Sequence, residues 1–141
     1  PHKEVWEFHL QTGGFLGLGG NEHLKLGAEY YDKGLYEQAE QYWLQVTTNE
    51  PDLKEKAAAY YNLGVLRMHQ SKLKEAYEMF RLADTNEPGN STYIAAMAKS
   101  QKAAQNQIDI IDWQEGGAPV KGKKPKKQKK NKKNQNKASQ N

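Results

Sequence analysis

Apolar residues follow two different rhythms along this chain. In "VWEFHL", residues 5–10, Trp6, Phe8 and Leu10 alternate with polar residues, which is the period of a half-buried extended strand. Such a strand would be either the end of an upstream domain or an arm laid on the rest of the chain. "TGGFLGLGG" follows, with five glycines in nine residues, a density that opposes helix and strand alike and predicts a flexible connector with Phe15 and Leu16 free to dock. From Asn21 the apolar spacing changes to three and four. Leu24, Ala28 and Tyr31 form one face of a helix capped by Asn21 and stopped by Gly34. A second helix over 36–48 turns Ala39, Trp43 and Val46 inward and ends before Pro51. A third begins early in "DLKEKAAAYYNLG", where Lys54, Glu55, Lys56 and the alanines favour helix and Tyr60 and Leu63 read as core. A fourth runs through "KLKEAYEMF". After Pro88, "GNSTYIAAMAKSQKAAQNQ" predicts a fifth, capped by Asn90 or Ser91, with Tyr93, Ile94, Met97 and Ala98 on a face.

This helical stretch repeats itself. Gly27, Tyr36, Ala39, Trp43, Val46 and Pro51 correspond to Gly64, Leu73, Ala76, Phe80, Ala83 and Pro88, all at an offset of 37. Packing explains the match. Glycine lets a partner helix approach closely, alanine occupies the tightest crossing, and the aromatic fills the wider gap.

At these positions the chain resembles the tetratricopeptide repeat, whose pattern places glycine or alanine, alanine, an aromatic, alanine and proline in this order. The resemblance covers about residues 20–107. It departs from the family in a period longer by three than the usual ~34 residues, in Val46 where alanine is usual, and in Arg67 where Tyr30 fits. The resemblance implies an all-α fold: an antiparallel helix-hairpin repeat stack of two repeats plus a capping helix. An extended N-terminal arm and a disordered Lys-rich tail flank it. The domain plan is then 1–20, an arm or the end of an upstream domain; 21–107, the helical domain; 108–120, a linker; and 121–141, the tail. Stacked repeats need a lid because each hairpin buries only part of its apolar surface. With only five helices, the arm or a preceding domain is expected to add stability.

Charge separates the tail from the body. Residues 1–120 hold 11 Lys+Arg against 17 Asp+Glu, a net of −6, whereas residues 121–141 hold ten lysines and no acid, so the overall +4 describes neither part. The tail lysines are Lys121, Lys123, Lys124, Lys126, Lys127, Lys129, Lys130, Lys132, Lys133 and Lys137. A segment so composed stays disordered by self-repulsion. It attracts nucleic acid phosphate or anionic lipid without reading sequence, and lacks aromatics for stacking on bases. The chain has no cysteine, which removes disulfides and thiolate chemistry but leaves the compartment open. No apolar run reaches the length of a membrane span. The first residue is Pro1, which leaves room for a leader or a larger region upstream.

Catalytic chemistry has little support. "GGFLGLGG" lacks the spacing and the following Lys-Ser or Lys-Thr of a phosphate loop, and His2, His9, His23 and His69 lack metal-ligand spacing. No cofactor is expected. "EYYDKGLYEQAEQ" reads as an exposed face with a Glu29–Lys33 pair at i,i+4. Binding is better supported. In the tetratricopeptide family the first helix of each pair lines a concave surface, which here would carry Leu24, Ala28, Tyr31 and Asp32, then Tyr61, Asn62, Val65, Met68 and His69, then Thr92, Ala95 and Lys99. The resemblance therefore implies a non-enzymatic interaction module that takes a protein or peptide ligand in this groove. Asn62 is expected to hydrogen-bond the backbone of an extended ligand. One subset of the family clamps the C-terminal carboxylate of chaperones with lysine, asparagine and arginine. The corresponding residues here are Leu24, Ala28, Asn62, Thr92 and Ala96, of which only Asn62 matches. A groove without cations would not hold that carboxylate. Two other readings stand beside the groove: an electrostatic adaptor tethered by the tail to nucleic acid or anionic membrane, and self-association through "IDIIDW", residues 108–113.

Overall fold

The computed structural model describes residues 7–14 and 20–116. Among these, all regular structure is helical: α1 (Glu22–Asp32), α2 (Tyr36–Asn49), α3 (Leu53–His69), α4 (Leu73–Asn86) and α5 (Ser91–Gly116), with no strand. One compact unit spans Pro1–Ala104, and a second begins at Gln105. Within the first, α1 packs on α2, α2 on α3 and α3 on α4.

Local chemistry sets the helix starts. The Asn21 side chain accepts from the backbone N–H groups of His23 and Leu24 at 2.9 and 3.1 Å, Asp52 from Lys54 at 2.9 Å, and Asn90 from Thr92 and Tyr93 at 2.9 and 3.3 Å. Asn90 is therefore the cap of α5, and Ser91 is its first residue. Each satisfies donors that a helix N-terminus leaves unpaired. α2 and α4 start without a side-chain cap, from Leu35 and Lys72 in the same backbone conformation, φ −94° and ψ 74°. The residue before each lies in the left-handed region, Gly34 at φ 81° and Ser71 at φ 61°.

The two hairpins close in the same way. A Cβ on Gly27 would stand 2.2 Å from Trp43 Nε1, and one on Gly64 would stand 2.4 Å from Phe80 Cε1. Each ring thus lies directly on helix backbone, and Trp43 Nε1 also donates to the Leu24 carbonyl at 3.3 Å. One core gathers Leu24, Ala39, Trp43 and Val46 with Ala58, Ala59, Leu63 and Leu66 of α3. The other gathers Tyr61, Val65 and Met68 of α3 with Leu73, Ala76, Phe80 and Ala83 of α4 and Tyr93, Ala96 and Ala103 of α5. Because α3 feeds both cores it is buried on two sides, and it carries the cross-link as well: Arg67 pairs with Glu40 on α2 and with Glu75 on α4.

Several expectations are corrected here. The described part of "VWEFHL", residues 7–10, is not a strand; it has no neighbouring chain to pair with and lies along the helices. Leu24, expected to line the groove, is fully buried in the first core, because the Asn21 cap starts α1 in a register that turns Leu24 and Gly27 inward. On α5 the buried positions are Tyr93, Ala96, Ser100 and Ala103, whereas Ile94 is half exposed. The linker expected from residue 108 is helical through Gly116, as no glycine or proline interrupts the sequence before that point. Glu29 and Lys33 do not pair. Lys33 is the C-cap, where the chain leaves helical register, and the ion pairs among the described residues involve only Arg67 and Arg81. Tyr60, expected in the core, is half-buried at its margin. Trp6, Phe15, Leu16 and the lysines from Lys121 to Lys137 lie outside the described residues.

Candidate functional site

The face that carries Tyr61, Asn62 and Lys99 is occupied by the chain's own N-terminal arm. Asn62 is fully buried, and its amide makes a reciprocal pair with one residue of the arm. The Gln11 N–H donates to Asn62 Oδ1 at 2.8 Å, and Asn62 Nδ2 donates to the Gln11 carbonyl at 2.8 Å. A side-chain amide thereby does what a neighbouring strand would do for extended backbone.

The arm's alternating apolar residues, Phe8 and Leu10, precede this pair. Phe8 stacks on Phe80 at a centroid distance of 5.7 Å and meets Tyr61 edge-on at 6.4 Å. The Lys99 ammonium of α5 lies over the Phe8 ring, 5.4 Å from its centroid. Leu10 packs against both cores. His9, between them, is exposed. The end of the described arm is tied to the start of α1. The Asn21 N–H donates to the Thr12 carbonyl at 3.0 Å, and Gly20 at φ 104° approaches so closely that a Cβ there would stand 2.7 Å from that carbonyl oxygen.

Burial leaves its mark on the tyrosines. The Tyr61 hydroxyl is pushed above the ordinary value of 10.0 by desolvation, with the His9 backbone pulling the other way. Tyr93, whose ring is 5.3 Å from that of Tyr61, is raised further by desolvation, with added repulsion from Glu87 and Tyr61. Tyr31 is raised by burial, then by Tyr36 and Asp32; its ring meets Tyr36, Trp43 and His69.

Of the expected groove residues, the structure brings Tyr61, Asn62 and Lys99 together around the arm. Val65 and Met68 are buried in the second core, while Ala28 and Tyr31, on α1, are half-buried. The expectation that Tyr61 and Asn62 face an open groove is corrected: they are 2% and 0% exposed, under the arm. The sequence reading did not connect Phe8, Leu10 and Gln11 with this face. The available signal was the alternation ahead of a glycine-rich reversal, together with an asparagine in the otherwise apolar run "AAAYYNLGVL".

No group of His, Asp or Glu side chains among the described residues is placed to hold a metal ion, and no described helix is long and apolar enough to cross a membrane. The chain matches no known family, no curated protein and no solved structure.

Proposed function

We propose that this chain is a non-enzymatic, tetratricopeptide-type interaction module that binds an extended peptide segment against α3 and α5, at the face marked by Tyr61, Asn62 and Lys99. The observation that carries this reading is the reciprocal pair between Asn62 and the Gln11 backbone. A buried side-chain amide that offers one donor and one acceptor to main chain recognises extended peptide whatever its side chains. The recurrence of glycine under an aromatic ring at Gly27–Trp43 and Gly64–Phe80, 37 residues apart, supports the repeat-type architecture, in which helical hairpins stack to present such a face.

A selection of random peptides on the full chain tests it, with photoreactive groups on the enriched peptides to map their seat. Labelling concentrated on α3 and α5, with affinity reduced about tenfold by Lys99→Glu, is the expected result. Lys99 is exposed, so that substitution leaves the cores intact. Failure to enrich any peptide, or labelling elsewhere on the chain, overturns the reading. A second reading rests on the ten lysines and absent acids of residues 121–141: a polyanion tether, for which binding to nucleic acid or anionic vesicles would fall steeply with salt and vanish without the tail.

A further inference from the structure

Resting on the peptide-binding reading, we infer that residues 8–11 are an intramolecular ligand, and that the partner which displaces them is an extended peptide with an aromatic residue followed, two positions on, by an aliphatic one. Each element of that pattern is read by something on the helices. The aromatic position is framed by Phe80, Tyr61 and the Lys99 ammonium. The aliphatic position, held by Leu10, touches both cores. The residue between is free to vary, since His9 is exposed. The backbone beyond is gripped by Asn62 on both its N–H and its carbonyl.

Three features make the arm a competitor and not a permanent part of the core. Phe8 and Leu10 are only half-buried, whereas the residues they cover are 2% exposed or less. The arm carries no ion pair among the described residues. The described residues between it and α1 include glycines in left-handed conformation, Gly13, Gly14 and Gly20, none of them in a helix or strand. A short tether holds such a segment at a local concentration in the millimolar range. A free peptide with the same pattern therefore binds only the fraction of molecules whose arm has left, and its apparent affinity is weakened in proportion.

The probe is a labelled, end-capped peptide of the chain's own sequence, WEFHLQTG, added to the full-length protein and to two variants that unseat the arm differently. Phe8→Ala/Leu10→Ala removes its apolar contacts, and Gln11→Pro removes its N–H donor. Circular dichroism checks that both keep their helices. The expected result is binding at least about tenfold tighter to both variants than to the native chain, lost when the peptide is N-methylated at the residue matching Gln11 or carries alanine at the positions of Phe8 and Leu10. Equal affinity for native chain and variants overturns the inference, as it shows that the arm does not compete. Absence of binding to folded variants also overturns it, leaving residues 8–11 as a structural strap. In either case random peptides selected on α3 and α5 would still uphold the peptide-binding reading, so the two failures are told apart.

Discussion

Asn62 could be recognised in the sequence as an oddity but not as a solved one. An asparagine on a buried helix face must find partners for its amide, and no residue near it in sequence supplies them. Its partner, Gln11, is 51 positions away. Ser71 shows the opposite case, a residue whose local conformation carries its own cost. It adopts φ 61° at the turn into α4, where the corresponding turn into α2 uses Gly34 at φ 81°. A side chain in that region costs about 1 kcal/mol. Ser71→Gly is expected to raise stability by about 0.5–1 kcal/mol, and Gly34→Ser to lower it by a similar amount; urea midpoints at constant slope would check both. The tyrosines give a pH dependence with a definite sign. Tyr31, Tyr61 and Tyr93 are all raised above 10.0 in the folded chain, so above that value the unfolded chain releases protons that the folded chain keeps. Stability from this source is fully present below the ordinary tyrosine value and is lost as pH rises through the folded ones. Thermal midpoints should be level from about pH 8 to 9 and fall beyond about pH 10.

At the level of whole elements, propensity and packing make opposite predictions at Gly27 and Gly64. Alanine in a helix interior is favoured over glycine by about 1 kcal/mol. The space is absent, however: Trp43 and Phe80 lie where the new methyl would go, within 2.2 and 2.4 Å. Gly64→Ala is therefore expected to destabilise by about 1–3 kcal/mol, and Gly27→Ala likewise, with the Trp43–Leu24 hydrogen bond weakened. A stabilising outcome in chemical denaturation would mean that packing does not govern these crossings. The same contact explains why the inward faces of α2 and α4 were legible from spacing alone: ring, alanine and glycine form one complementary set in each hairpin. On α5 the spacing was half right: of the face through Tyr93, Ile94, Met97 and Ala98, Tyr93 is buried and Met97 packs against the second core, but Ile94 and Ala98 are exposed while Ala96 and Ser100 are buried.

For the molecule as a whole, the compact unit Pro1–Ala104 contains both cores and the seated arm. A chain ending at Ala104 should therefore unfold cooperatively, with a melting temperature within about 4 °C of the full protein, the shift that about 1 kcal/mol produces in a domain of this size. Loss of cooperativity in calorimetry would show that the region from Gln105 supports the cores. The charge asymmetry between the acidic residues 1–120 and the lysine-rich residues 121–141 acts at this scale too, and its effect is weakened by salt.

By itself, the sequence determined the all-helical class, the approximate positions of the helices apart from the C-terminal half of α5, and the cap at Asn21. It also marked Ala39, Trp43, Val46 and their counterparts as core. These follow from interactions within a few residues or from a periodicity repeated along the chain. Only the tertiary structure decided that Leu24 belongs to the core, that α3 serves two cores, and that Phe8, Leu10 and Gln11 cover Tyr61 and Asn62. Nothing local in an alternating segment says which surface it will lie on. That depends on a ring-lined slot assembled from α3, α4 and α5, and on an asparagine whose hydrogen-bonding needs are met by residues far away in the chain.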